Sequence, residues 1–372
     1  MAKRILITCT DSMMKQFLEP HMKNLVAHGY KVEIACSEVL NRFQEVQKDL
    51  GDIVKIHHLS LQRSPLALSA HVKGYKELKS IIKNGHFDLV WTNEPVMGVV
   101  TRLAVQEARK RGTKVLYMVH GFHFYRGAPA INWMVYYPIE KIMAPKADCI
   151  CTINQEDFAR AQKMRVGKVE YIHGVGIDTS RLHQNGQTDI RKELGLDERA
   201  FIVLSVGELN KNKNQQVIIK AIAKLNEPDA HYVLCGKGDQ KDALESLAKE
   251  LGVADRTHFL GYRRDVVDIC SQANVFAMPS KREGLPVASL EAMYCGLPLI
   301  TSNIRGLSDV MEDGVSGYMY LPDDVEGFAE GIGTLKCDEE LCRNMGKRNA
   351  IAVQPFCIEE TKKEILELML RV

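Results

Sequence analysis

Two α/β domains in tandem, each a doubly wound parallel sheet with helices on both faces, are what this sequence predicts. Three observations lead there. Short β-branched runs alternate with longer amphipathic ones along the chain. The short runs are nearly continuously apolar, as strands buried on both faces are. The chain has 372 residues, a length that calls for two domains. Composition is ordinary for a globular chain, 45% hydrophobic and 26% charged. With 27 glycines and 12 prolines it is neither collagen-like nor of low complexity. Basic and acidic residues, 49 and 47, leave a net charge of +2, so no overall basic field recruits nucleic acid.

In the first half the expected strands are Arg4–Thr10, Tyr30–Ser37, Phe87–Asn93, Lys114–Gly121, Asp148–Asn154 and Lys168–Gly174. Helices are expected between them, most clearly Ser69–Lys83 and Val96–Arg111. Met1-Ala2-Lys3-Arg4 opens like a secretory leader, but the apolar run stops at Ile7 and Asp11 follows, so no signal peptide is expected. No apolar run approaches the roughly 18 residues of a membrane-spanning helix. The alternation restarts after Gly176, with strands expected at Ala200–Gly207, His231–Gly236, Thr257–Gly261, Asn274–Pro279 and Pro298–Ser302. Glu359–Val372 reads as a closing amphipathic helix. The domain boundary is placed at Gly176: residues 1–176, then 177–355, with 356–372 crossing back to the first domain. Two such domains leave a cleft at the carboxyl ends of both sheets, where ligands of doubly wound folds bind.

The 10 cysteines include Cys149 and Cys151, spaced C-x-C on an expected strand. No second Cys or His pair stands at finger-like spacing, so buried thiols in a reducing cytoplasm are the expectation, with no metal site. His57-His58 reads as a surface edge rather than a ligand pair. Residues 131–146 mix Trp133, Tyr136 and Tyr137 with Lys141 and Lys146. That segment reads either as a plain core helix or as one presenting its aromatics and lysines to anionic lipid.

Chemistry concentrates in Ser280–Pro298. A strand ends at Pro279, a loop follows, and Pro286 suits a first helical turn because its missing N–H is no loss there. The helix start is a seat for a diphosphate. Glu283 stands before that seat and Glu291 behind it, each able to accept bonds from sugar hydroxyls.

Glu283-Gly-Leu-Pro through Glu291 resembles the E-x7-E motif of retaining glycosyltransferases of family four, which have the GT-B fold of two Rossmann-like domains facing across a cleft. Other segments fall in that family's order. Ser205-Val206-Gly207-Glu208-Leu209 with Lys213 resembles its "G-R-L…K" loop. Cys235-Gly236-Lys237-Gly238 resembles its "G-x-G" turn, and Phe259-Leu260-Gly261-Tyr262-Arg263 its "F-x-G" strand end. Gly174-Val175-Gly176-Ile177-Asp178 resembles "N-G-V-D", and Val119-His120-Gly121 the segment of the family's active-site histidine.

The resemblance implies roles for these residues. Lys213, beside Gly207, pairs with the donor diphosphate, and backbone N–H groups of Leu285–Val287, with Gly284 and Pro286 shaping the turn, cradle the phosphates. Glu291 holds the ribose, and Glu283 the hydroxyls of the transferred sugar. Tyr262 and Arg263 are candidates for the base, and His120 sits near the reacting carbon. It also implies that no metal or other cofactor is required.

Two departures stand out. Glu208 occupies the position of the family's arginine, so either Lys211 compensates or Glu208 turns away to pair with it. Thr10-Asp11-Ser12-Met13-Met14 replaces the usual paired glycines after the first strand.

The expected activity is transfer of a hexose or N-acetylhexosamine from a nucleotide sugar, by resemblance a UDP-sugar. The acceptor would be a polyprenyl-diphosphate-linked sugar of bacterial capsule or exopolysaccharide synthesis. The protein would be cytoplasmic and peripheral on the inner face of an anionic membrane. A nucleotide-sugar epimerase of the same fold and a non-catalytic nucleotide-sugar binder are the alternatives. A nicotinamide-dependent dehydrogenase is not expected, because Thr8–Lys15 contains no glycine where G-x-G-x-x-G belongs.

Overall fold

The computed structural model describes residues 2–11, 14–37, 43–62, 67–184 and 186–372. They form two compact units: Met1–Gly176 together with Ile358–Val372, and Ile177–Cys357. Both are parallel-sheet α/β units.

The first unit holds a seven-stranded sheet of β1 (Arg4–Asp11), β2 (Lys31–Ser37), β3 (Lys55–Leu59), β4 (Leu89–Asn93), β5 (Lys114–Val119), β6 (Cys149–Thr152) and β7 (Lys168–Tyr171), in the order β3-β2-β1-β4-β5-β6-β7. The pairings are parallel. β4 and β6 are buried at every residue, which explains why neither carries a charged side chain. Leu6, Val90, Tyr117 and Ile150 share one core with Leu78, Ile82 and Ala104 of the helices. The helix Ile358–Arg371 belongs to this unit and packs on the helix Lys15–Ala27. Gly176, with φ +78°, makes the join close: a Cβ there would lie 2.3 Å from Thr361 Oγ1.

The second unit holds β8 (Phe201–Val206), β9 (Ala230–Cys235), β10 (Thr257–Gly261), β11 (Val275–Met278), β12 (Leu299–Ser302) and β13 (Gly317–Tyr320), in the order β10-β9-β8-β11-β12-β13. Alternation along the strands separates two cores. Val203, Tyr232, Leu234 and Ala277 face Ile218, Ile222 and Phe328. Leu204, Val233, Phe276 and Met278 face Leu290, Met293 and Leu307 on the other side.

Two elements differ from expectation. Residues 96–111 form two helices, Pro95–Ala104 and Gln106–Arg109, rather than one. The edge strand β13 has no counterpart in the sequence reading; it is four residues long and begins with a glycine whose Cβ would meet Leu299 O at 1.8 Å.

Strand order reverses between β1 and β4 in the first unit and between β8 and β11 in the second. Ligands of open α/β sheets bind beyond the carboxyl ends of the strands at such points.

Candidate active site

The switch point of the second unit gathers most of the residues singled out in the sequence. The chain leaves β8 through Gly207, whose φ of +149° favours glycine, and the Lys213 stem lies in van der Waals reach of it. Gly236 follows β9, and a Cβ there would strike Gly207 O at 1.8 Å. The loops after β8 and β11 are tied together: Lys281 N donates to Asn212 O at 2.8 Å, and Asn212 Nδ2 to Arg282 O at 2.9 Å. Across this clamp Lys213 Nζ donates to Glu283 Oε1 at 2.8 Å. Gly284 rests on Gly306, where a Cβ would meet Gly284 O at 2.4 Å.

The helix Val287–Tyr294 begins one residue later than expected, with Pro286 as its cap. This changes the anion seat. Pro286 has no N–H, and Val287 N donates to Leu285 O at 3.0 Å. Intrahelical bonding starts with Leu290 N to Pro286 O. The N–H groups that helix geometry leaves for an anion are therefore those of Ala288 and Ser289, and of the expected Leu285–Val287 cradle Pro286 and Val287 have no free N–H to offer. Glu291 sits just beyond one turn into this helix, and burial pushes its carboxyl above the ordinary range.

Tyr262, 68% exposed, has its ring at the surface. Arg263 is committed elsewhere. Its Nε donates to Asp265 Oδ1 at 2.9 Å, its Nη1 to Glu193 Oε1 at 2.7 Å, and its Nη2 to both carboxylates. The guanidinium holds Asp265 well below the usual carboxylate range. Arg263 is thus an internal strut, and the expectation that it reads a base is corrected: its fork is filled by two acids. Glu208 accepts from Asn210 Nδ2 at 2.9 Å, a neutral partner rather than Lys211.

The switch point of the first unit holds His120 and two residues that sequence reasoning missed, Asn93 and Glu94. Asn93 is fully buried at the end of β4. Its Nδ2 donates to Thr8 O at 3.2 Å, and its Oδ1 lies 3.0 Å from His120 Nε2. Only an N–H can face a carbonyl, so the Thr8 contact fixes the amide, and Oδ1 can only accept. His120 Nε2 must then carry the proton, and Nδ1 keeps a lone pair. Enclosure pushes the pKa of His120 down to about 4, so the ring is neutral at ordinary pH. Glu94 adopts φ 64°, ψ 151°, a region that glycine nearly monopolises, at a cost of about 1–3 kcal/mol. Its carboxylate accepts from Thr10 N at 2.6 Å, tying the end of β4 to the end of β1. The tripeptide Asn93-Glu94-Pro95 closing a strand that begins Leu89-Val90-Trp91 was the available signal. Of the unusual segment that replaces the paired glycines, Ser12 and Met13 lie outside the described residues.

Cys149 and Cys151 are buried on β6, and burial pushes the Cys149 thiol up to about 12. Among the described residues no three His, Cys, Asp or Glu side chains group to hold a metal. His57 lies on the edge strand β3 with Nε2 2.7 Å from Glu33 Oε2. In the helix Ala130–Met143, Trp133, Tyr136 and Tyr137 pack against the core, and Phe124 meets Trp133 and Tyr137 with ring centroids 5.7 and 5.2 Å apart. The aromatics therefore face inward, as the core-helix alternative has it and the lipid-presenting alternative does not. Exposed instead are Ile131, Met134, Val135, Ile139 and Ile142, an aliphatic stripe at helical spacing. No described helix is long and apolar enough to cross a membrane.

Two family models match the chain: "Glycosyltransferase Family 4" over residues 21–181 and "Glycosyl transferases group 1" over residues 186–351. EpsD of Bacillus subtilis (strain 168) is 34% identical, over 99% of this chain and 96% of that one. The UDP-Gal:alpha-D-GlcNAc-diphosphoundecaprenol alpha-1,3-galactosyltransferase of Escherichia coli is 28% identical, over 79% of this chain and 80% of its own. Among solved structures, HepE of Anabaena, crystallised with UDP and glucose, superposes with a TM-score of 0.79 at 19% identity, all of both chains being covered.

Proposed function

The chain belongs to glycosyltransferase family 4, has that family's GT-B type of fold, and is a glycosyltransferase; from that premise we propose the reaction it carries out. A hexose or N-acetylhexosamine moves from a UDP-sugar to a sugar on a polyprenyl diphosphate, with retained anomeric configuration, in the assembly of a bacterial surface polysaccharide. The observation that carries this reading is the Lys213–Glu283 pair, placed by two clamped loops in front of the helix Val287–Tyr294. A fixed cation suits a departing diphosphate, and a carboxylate beside it suits sugar hydroxyls. The N–H groups of Ala288 and Ser289 add a helix start for the phosphates. Since fixed positive groups take up the leaving charge, no metal is called for. Glu291 holds the ribose, Tyr262 meets the base, and His120 offers Nδ1 to a hydroxyl of the transferred sugar. The name of the Escherichia coli relative, with its UDP-galactose donor and diphosphoundecaprenol acceptor, supports the choice of donor nucleotide and acceptor class.

Peripheral attachment to the inner membrane face belongs to the same reading. Its surface is the stripe of Met134, Val135 and Ile142, with Lys141 exposed beside it for anionic headgroups. Met134→Glu with Ile142→Glu should abolish flotation with anionic liposomes, whereas Trp133→Ala would disturb the core.

The reaction is tested by offering UDP-, GDP- and ADP-sugars with a prenyl-diphosphate-linked sugar, then following nucleotide release and the anomeric configuration of the product by NMR. Two variants separate the glutamates. Ribose contacts change little during transfer, so Glu291→Gln should raise KM and leave kcat nearly intact. Glu283 lies where positive charge develops on the sugar ring, so Glu283→Gln should lower kcat. Reversed effects would exchange the two roles, and no effect from either would remove the motif from the reaction.

A further inference from the structure

An apolar groove of about 520 Å³ opens on the first unit. Three helices wall it. Leu68–Gly85 supplies Leu68 and Val72, Pro95–Ala104 supplies Val99 and Leu103, and Ala130–Met143 supplies Tyr136 and Ile139. Leu68 is 71% exposed and Val72 56%, unusual for aliphatic side chains this close together. The acid in the wall, Glu140, is buried and neutralised by Arg102 at 2.8 Å, with Tyr117 donating to it at 3.0 Å. The groove therefore presents hydrocarbon. Its volume lies within the range of ligand pockets.

One end of the groove reaches the chemistry. Pro95 and Val96 line it and directly follow Asn93 and Glu94 at the switch point. Tyr136 lines it too and stacks on His123, ring centroids 4.6 Å apart, three residues from His120. Lys73, Lys76 and Lys141 stand exposed on the walling helices, the charge that an anionic lipid needs at its head and surroundings.

We infer that this groove holds the hydrocarbon chain of the lipid-linked acceptor, with the chain's phosphate-bearing end at the carboxyl ends of β4 and β5. A tail tethered to the reacting head must leave the strand ends, and this groove is an apolar path that starts there. The inference rests on the lipid-linked acceptor proposed above and adds the place where its chain lies.

The test compares two acceptors with the same sugar diphosphate, one on a long prenyl chain and one on dimethylallyl, assayed in detergent micelles with the full-length protein. Burying several methylenes should favour the long chain in kcat/KM by about tenfold or more. Val72→Trp fills the groove from an exposed position and leaves the core alone. It should bring the preference close to unity while dimethylallyl turnover stays unchanged. A preference that survives Val72→Trp, or that the unaltered protein never shows, overturns the inference.

A second readout needs no turnover. A farnesyl phosphate bearing a diazirine at its tail should label peptides of the three walling helices, and Val72→Trp should abolish that labelling. Labelling by a diazirine-tagged phosphatidylglycerol in preference to the prenyl probe would assign the groove to a membrane acyl chain and overturn the proposal. Sedimentation showing a dimer whose formation blocks the label would give the groove to a second copy and overturn it equally. If the prenyl probe labels the groove but neither acceptor is glycosylated, the groove stands and the reaction falls; equal turnover of both acceptors without labelling has the opposite meaning.

Discussion

Lys213 and Glu283 are 70 residues apart in sequence and bonded at 2.8 Å, each mostly shielded from solvent. A lysine so placed makes charge-assisted bonds to phosphate, worth roughly 1.5–3 kcal/mol each. Lys213→Ala should therefore weaken UDP binding by about tenfold or more, as read by calorimetry. Unchanged affinity would take the lysine out of the site. His120 gives the second residue-level prediction. Because Thr8 O orients Asn93 and Asn93 orients the ring, ¹⁵N NMR should find His120 neutral, protonated on Nε2, and unaltered from pH 8 down to about 5. Asn93→Asp would place a carboxylate against the same nitrogen, favour the imidazolium, and raise the titration toward neutrality. A ring protonated on Nδ1 in the unaltered protein would refute the assignment.

The helix Ala130–Met143 is apolar on two faces, and one buried polar knot decides which face turns inward. Arg102 is fully buried and Glu140 nearly so; they pair at 2.8 Å, and Tyr117 of β5 completes the knot. Burying an ion pair gains little over a well-packed apolar pair, but breaking one strands a charge, at a cost of about 3–5 kcal/mol. Glu140→Ala should lower the unfolding free energy read from urea denaturation by an amount in that range. Arg102→Met with Glu140→Leu should recover much of the loss. If Glu140→Ala costs less than about 1 kcal/mol, water reaches Arg102 and the knot does not hold the helix. The loops after β8 and β11 show the same logic on a smaller scale. The backbone and side-chain bonds between them fix where Lys213 and Glu283 stand, so the site's geometry belongs to the loops jointly.

Across the whole molecule, buried histidines set the response to acid. His21 is 1% exposed, lies within 2.7 Å of Val175 O, and is pushed down to about 4 by burial. In the unfolded chain it takes up a proton near 6.5. Its folded pKa is the lower one, so the stability linked to it is complete above 6.5 and is lost as pH falls toward 4. His120 and His258 are also lowered to about 4 and act in the same direction. Glu33 and Asp265, held down by their basic partners, begin to contribute only in the carboxylate range below. The denaturation midpoint should thus already fall between pH 7 and pH 5, and His21→Gln should flatten that dependence. Equal midpoints at both values would show that water reaches His21 in the folded protein.

By itself the sequence determined the fold class, most strands, and the segments that carry the donor chemistry, because these depend on local patterns. Short runs such as Phe87–Asn93, rich in large apolar and β-branched residues and bounded by turn signals, read as buried strands, and Glu283 with Glu291 can be read from spacing and from a helix start. Tertiary structure decided whatever depends on which distant group a side chain meets. Arg263 looked available until Glu193 and Asp265 were found around it. Val287 looked like an anion donor until its N–H was found bonded to Leu285. The aromatics of residues 131–146 and its aliphatic residues are equally apolar, so hydropathy cannot rank the two faces; the ion pair under Glu140 and the rings around Phe124 do. Asn93 and Glu94 match no spacing rule, since their meaning comes from strand order, which brings β4 beside β1. Spacing along a chain specifies the backbone a residue sits on, whereas hydrogen bonds and burial are satisfied through space, by partners many residues away.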